Sequence, residues 1–288
     1  NFGSVKIEDY PVSFDDELFF AFNSRVNISV CLVNGKDQKS TNAFTALFNS
    51  DSLFQIKELS EQAIDYNLFK SSDVLILNQL SEISSGLLSE LNTFAKKGGA
   101  LVLIPNANSV IPDHNRTLNS LKLPEFRSFD TIPLRTGKIE LASDFFRSVF
   151  EKLDDQINLP LVNRHYTFSK NSFNDFEPLL LLQNGETFFG RQQTEHGYIY
   201  LFTCPFDETS TNFTKHALFV PSFYQISFNS LQVLPLFYPV SNNQVIPLKS
   251  NPLLSEQPPH IVKTDKSSDL IPEIRSSEKK GPGNRYRL

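Results

Sequence analysis

Two hydrophobic periods alternate along the chain and lay out most of its elements. Val26–Val33 and Asp73–Asn78 are largely apolar runs with the length and β-branched content of strands buried on both faces. Between them Gly35-Lys36-Asp37 breaks the chain. Thr41 is placed to cap a helix with Ala43, Phe44, Leu47 and Phe48 on one face, and Leu53–Leu59 reads as a further strand. The clearest unit comes next. Ser84 or Ser85 opens a helix whose Leu87, Leu88, Leu91, Phe94 and Ala95 share one face. Lys96 and Lys97 suit its C-terminal dipole, Gly98-Gly99 stops it, and Ala100–Pro105 returns as a strand. Strand, helix, strand with short links predicts a right-handed parallel crossover.

The second half is less regular. Asn106–Arg127 is polar and reads as a loop. Ser143 is placed to cap a helix with Phe145, Phe146, Val149, Phe150 and Leu153 on one stripe. Short strands follow at Tyr166–Phe168, Leu179–Leu182, Thr187–Phe189 and Tyr198–Thr203, with Asn184-Gly185 as a hairpin turn. Pro221 suits the first turn of a final helix through Phe223, Tyr224 and Ile226. At the N-terminus, Ser4–Glu8 and Glu17–Phe22 pair as strands across Asp9-Tyr10-Pro11. Such a pair is too small to stand alone and is expected to end a β-sandwich-like segment. The pattern divides the chain into a strand pair (1–24), an α/β domain (25–240) and an extended segment (241–288).

Composition supports the last boundary. All 27 Phe lie between Phe2 and Phe237, whereas residues 241–288 contain Pro247, Pro252, Pro258, Pro259, Pro272 and Pro282. That end carries +3 and the first 240 residues −8, giving −5 overall. A Phe-rich acidic body with a Pro-rich basic end reads as a packed domain plus an extended segment or linker. An acidic body excludes general nucleic-acid binding, which needs basic surface. No apolar stretch is long enough to span a membrane. The absence of Met marks a processed or truncated piece of a longer protein.

The candidate chemistry is sparse. The carboxyl ends of the strands, where open α/β sheets bind ligands, carry Asn34, Asn78, Asn106 and Asn108, which are candidate ligand contacts. After the strand ending at Pro105 the chain reads Pro105-Asn106-Ala107-Asn108-Ser109, without the glycines of a nucleophile elbow. Ser109 is a weak nucleophile candidate with no base placed beside it. Cys204, Asp207, Glu208 and His216 cluster after the strand Tyr198–Thr203 and supply the residue types of a thiol hydrolase. A turn and a helix cap account for them equally. Asp9, Asp15, Asp16 and Glu17 lack calcium-loop spacing, and Gly137-Lys138 lacks the rest of a phosphate loop. His114, His165, His196, His216 and His260 are scattered, and two cysteines, Cys31 and Cys204, make no metal pattern, so no metal or cofactor is expected. Asn27, Asn115 and Asn212 begin glycosylation-type triplets, a pattern common by chance.

Three stretches together carry a resemblance: VKIEDYPVSFDDELFFAF (5–22), DVLILNQLSEISSGLLSELNTFAKKGGALVLIPN (73–106) and YIYLFTCPFDETSTNFTKHALFVPSFY (198–224). They resemble the extracytoplasmic region of BatA-type bacterial membrane proteins, which have an N-terminal double-transmembrane domain, β-sandwich segments and a class I glutamine amidotransferase-like domain. The resemblance implies a flavodoxin-like three-layer parallel sheet in the periplasm, tethered to the inner membrane by helices outside this sequence. An amidotransferase needs Cys at the elbow, and Pro105–Ser109 holds none. The expectation is therefore a non-catalytic interaction or scaffold domain that binds a protein or envelope ligand. Two alternatives stand beside it: a hydrolase with a non-standard site near Cys204 and His216, and a carbohydrate-binding module favoured by the aromatic surplus.

Overall fold

The computed structural model describes residues 2–8, 10, 16–22, 27–147, 149, 158–169, 175–231, 236–237, 245–248, 260–263, 267–271, 273–275 and 284–287. The chain separates into two compact units: Arg25–Gln232, and a second made of Asn1–Ser24 with Val233–Leu288.

In the second unit β1 (Phe2–Lys6) and β2 (Glu17–Ala21) form an antiparallel pair with Phe2 opposite Ala21. Lys6 lies opposite Glu17, their charges 3.7 Å apart.

The larger unit runs β3 (Ile28–Asn34), α1 (Gln38–Asn49), β4 (Phe54–Ser60), α2 (Tyr66–Ser71), β5 (Val74–Asn78), α3 (Ser85–Lys96), β6 (Ala100–Ile104), α4 (Ile111–Ser120), β7 (Phe126–Asp130), β8 (Leu134–Ile139), α5 (Asp144–Arg147), β9 (Leu161–Val162), β10 (His165–Phe168), β11 (Phe176–Leu182), β12 (Thr187–Gln193), β13 (Tyr198–Phe202) and α6 (Phe219–Asn229). Nine strands make one sheet, ordered β4-β3-β5-β6-β13-β12-β11-β8-β9. From β4 to β13 neighbours are parallel, and from β13 to β9 they are antiparallel. The sheet is thus mixed, where the sequence pattern suggested a parallel one. The reason is local. A parallel neighbour needs a crossover of roughly a dozen residues or more. After β11, the Asn184-Gly185 turn, with Gly185 at φ +84, sends the chain straight back. The Thr194–Gly197 link does the same after β12, closed by Thr194 N–H to Gly197 O at 2.9 Å. β7 and β10 pair separately beside the sheet.

Side-chain alternation fills both faces. On one face Val30, Leu32, Val74, Ile76, Val102, Tyr200 and Phe202 pack with α1 and α6. On the other Cys31, Val33, Leu75, Leu77, Leu101, Leu103 and Leu201 pack with α3, α4, β7 and β10. The first face contains an aromatic cluster in which Phe44 meets Phe219, Phe223 and Phe206, and Phe202 stacks near Phe189 and Phe223. Pairs of this kind contribute on the order of 0.5–1.5 kcal/mol beyond their buried area.

Several boundaries differ from the sequence reading. Asp37, not Thr41, caps α1: its carboxylate accepts the Ser40 N–H at 2.8 Å, and Thr41 Oγ1 donates to Asp37 O at 2.9 Å within the first turn. α6 starts two residues before Pro221. The stretch 106–127 is not all loop. It holds α4, whose composition is mostly polar because only Thr117 and Leu118 are buried on it. α2 was not foreseen, being six residues long with Phe69 alone buried. Ser143 Oγ accepts the Phe145 N–H at the start of α5, as its position suggested, while Phe150 and Leu153 lie outside the described residues. Asp9 and Asp15 lie outside them too, as does Pro252 with most of the Pro-rich segment.

Later in the second unit, β14 (Val245–Leu248), β18 (Asn284–Arg287) and β17 (Glu273–Arg275) form a three-stranded sheet in that order. β15 (Ile261–Val262) pairs with β16 (Asp269–Leu270).

Candidate functional site

β3 has β4 on one side and β5 on the other, so the strand order reverses between β3 and β5. Open α/β sheets bind ligands at the carboxyl ends of the strands that flank such a reversal. Asn34 and Asn78 end those two strands in register with one another. Asn78 Nδ2 donates to Asn34 Oδ1 and to Ser40 Oγ, both at 3.0 Å. Gln79 Nε2 donates to Ser40 Oγ at 3.1 Å and to the capping carboxylate of Asp37 at 3.4 Å. Gln79 reaches that position with φ +56, a left-handed backbone uncommon outside glycine. Its main chain is held by N–H to Ile104 O and by Asn106 Nδ2 to its own carbonyl. Gly35 makes the approach possible, because a Cβ there would lie 2.1 Å from the Gln79 oxygen. Asn34, Asn78, Gln79 and Ser40 are all buried. The crevice is therefore filled by side chains that satisfy one another.

The next strand end, after β6, is the position of the elbow. Asn106 is tied at several atoms. Its amide donates to Gln79 O, its Oδ1 accepts the Asn108 N–H at 2.7 Å, and its carbonyl accepts the Tyr166 hydroxyl at 2.7 Å and His114 Nε2 at 3.1 Å. A carbonyl only accepts, so Nε2 of His114 carries the proton. Burial lowers the His114 pKa, partly opposed by the Asn106 carbonyl and Asp113, and burial pushes Tyr166 up to about 12. Ser109 Oγ donates to Ser81 O at 3.1 Å and faces no histidine among its printed partners. Asn108 is exposed. Behind this loop lies a partly open cavity of about 40 Å3, floored by Leu77, Leu103 and Leu201 and walled by Leu80, Ile83 and Leu118. Asn106, His114 and Thr117 are its polar members.

After β13 the four proposed thiol-hydrolase residues go to separate partners. Cys204 is fully buried, its Sγ directed at Pro205 O (3.1 Å), and burial raises its pKa well above the ordinary thiol value. Asp207 works against burial, yet donors from Ser210, Thr209 and Arg164 hold its pKa low, the Arg164 contact being 3.0 Å. Hydrogen bonds from Lys215 and Lys39 hold exposed Glu208 down to about 2. His216 binds Asn158 O through Nε2 at 2.8 Å and accepts the Leu218 N–H at Nδ1. The loop is thus a set of ties among α1, β10 and the 3-10 turn Phe213–Lys215, and no nucleophile–base pair forms in it. Asn115 and Asn212, from the glycosylation-type triplets, are likewise engaged: Asn115 brackets the Phe126 backbone and Asn212 Oδ1 accepts the Leu161 N–H.

Sequence reasoning located Asn34, Asn78 and Asn106 by strand ends alone. It missed Gln79, Ser40, His114 and Tyr166. Gln79 follows a strand end directly and was available to the same rule, whereas His114 and Tyr166 meet Asn106 only through the packing of α4 and β10.

No protein-family profile matches the chain, and no curated protein matches its sequence. Among solved structures, a cytoplasmic protein from Salmonella typhimurium LT2 is similar over 70% of this chain and 98% of its own, with 8% identity and a TM-score of 0.51. A ThuA-like protein from Bacteroides uniformis ATCC 8492 is similar over 76% of this chain and 95% of its own, at 12% identity and a TM-score of 0.47. A β-galactosidase from Rahnella sp. R3 is similar over 71% of this chain but 31% of its own, at 12% identity and a TM-score of 0.48. The first of these likenesses shows an α/β fold shared with the Salmonella protein.

Proposed function

We propose that the chain is a non-catalytic interaction domain that retains a flavodoxin-like, class I amidotransferase-like three-layer scaffold without its chemistry. The order of its five parallel strands, with the reversal between β3 and β5, supports the scaffold assignment. One observation carries the functional reading: the strand ends that would hold a substrate are occupied by the chain itself. Asn34, Ser40, Asn78 and Gln79 close the reversal point, and Asn106 stands pinned at the elbow. A nucleophile must be exposed and activated by a neighbouring base. Cys204 is neither, and Ser109 is bonded to a backbone carbonyl.

With the resemblance to BatA-type proteins, this reading places the domain in the periplasm of an envelope protein, tethered by segments outside this sequence and binding a protein or envelope ligand. Among the described residues no helix is long and apolar enough to cross a membrane. The test has two arms. Purified chain is assayed against glutamine and activated esters, and turnover that Cys204→Ser or Ser109→Ala abolishes would sink the non-catalytic reading. Protease accessibility of the native protein in spheroplasts tests location, and protection there would overturn the periplasmic placement.

A further inference from the structure

We infer that the cavity at the carboxyl end of β6 is a docking socket for one small branched aliphatic side chain, Val or Ile, presented by a partner protein. The inference rests on the interaction reading above and gives the partner's chemistry at the same edge of the sheet. Size and lining come first. A volume of about 40 Å3 accommodates a group of a few carbons. The floor and walls are Leu77, Leu103, Leu201, Leu80, Ile83 and Leu118. Aliphatic cavities of this kind stay dry and take apolar guests. A sugar, phosphate or nucleotide would find neither the room nor a cationic donor.

The socket is also rigid. Its rim residue Asn106 is held through its amide, its Oδ1 and its carbonyl, and His114 and Tyr166 both close on that carbonyl. Collapse of the loop into the void would break these bonds together. Finally, the loop cannot fill the space with its own apolar residue. Val110 is 60% exposed. Its carbonyl accepts the Asp113 and His114 N–H groups at the start of α4, and the preceding Ser109 is fastened to Ser81 O. Val110 is thereby fixed outside, and the aliphatic group must come from another chain.

The test uses the whole chain with labelled Ile, Leu and Val methyls, titrated with the N-acetyl amides of Val, Ile, Ala and Phe. The Val and Ile amides are expected to shift the methyls of Leu77, Leu103, Leu118 and Ile83 saturably. The Ala amide should bind at least threefold more weakly and the Phe amide not at all. Thr117→Leu, which lengthens a lining side chain, should abolish the response, and Leu118→Phe serves as a second filled variant if the first loses its folded spectrum. No saturable shift with the Val amide, an undiminished response in the folded filled variant, or preference for Phe would overturn the socket. Concentration-dependent shifts of the same methyls without any probe would seat a second copy there and would overturn it as well. Hydrolytic assays on the same sample separate the two readings: turnover sinks the interaction reading, whereas a silent titration without turnover sinks the socket alone.

Discussion

Gly35 is the residue on which the closed reversal point depends. A methyl group there meets the Gln79 backbone oxygen, which cannot rotate away as a side-chain tip could. Gly35→Ala should therefore destabilise the fold by about 1–3 kcal/mol, the usual range for overpacking, as measured by chemical denaturation. An unchanged midpoint would mean that Gln79 does not hold this position. Cys204 makes a second prediction at the same scale. The thiolate is the reactive form, and burial keeps this thiol protonated. Burial likewise pushes Cys31 up to about 12. Iodoacetamide at neutral pH should leave both cysteines unmodified in folded protein and label both after denaturation, read by intact mass. Rapid labelling of folded chain would revive the thiol alternative. His114 gives a pH dependence. Its folded pKa lies below the ordinary 6.5, so the unfolded chain takes the proton first and stability is lost as pH falls through 6.5. His114→Gln, which keeps a donor for the Asn106 carbonyl, should lose less stability between pH 7 and 5 than wild type. Equal slopes in thermal melts would remove His114 as the source.

At the scale of elements, legibility follows how much of an element's character is local. α3 could be read completely. Ser84 caps it, Leu87, Leu91, Phe94 and Ala95 are its buried residues, and Gly98 ends it at φ +98. β3, β5 and β6 were equally legible because both faces are buried and the apolar run is unbroken enough to see. α4 was not, since only Thr117 and Leu118 face the core and the rest of the helix is solvated and polar. The sheet's antiparallel half was legible strand by strand but not in its pairing, because order in a sheet is a long-range property that no local period encodes. The same limit explains the site: strand ends named Asn34, Asn78 and Asn106, while their partners depend on tertiary packing. α1 supplies a prediction of its own. Asp37 both caps the helix and receives Gln79, so Asp37→Ala removes a cap worth about 1 kcal/mol and one of the Gln79 bonds. Asp37→Asn keeps an accepting oxygen for Ser40 and should recover most of the loss in denaturation midpoint. If Ala and Asn behave alike, the cap is not what anchors the turn.

At the scale of the molecule, two hydrophobic clusters occupy the two faces of one sheet, and every residue in both falls between Ile28 and Leu231. The larger compact unit, Arg25–Gln232, thus holds the clusters entire. It is also of a size at which burial comfortably exceeds the threshold for independent folding. The sheets of the second unit have two or three strands, too few to be stable in water by themselves. Phe2, Phe19 and Leu270 are exposed on those strands. The asymmetry predicts separate behaviour on truncation. A chain of residues 25–232 should fold cooperatively, with one thermal transition and the dispersed methyl spectrum of a packed core. Within it, Phe44→Ala should cost about 3–5 kcal/mol, because that ring joins α1 to α6 through Phe219 and Phe223. The second unit expressed alone should show no cooperative transition. If 25–232 melted without cooperativity, the clusters would need the chain ends to hold together, and the larger unit could not be treated as the domain that carries the site.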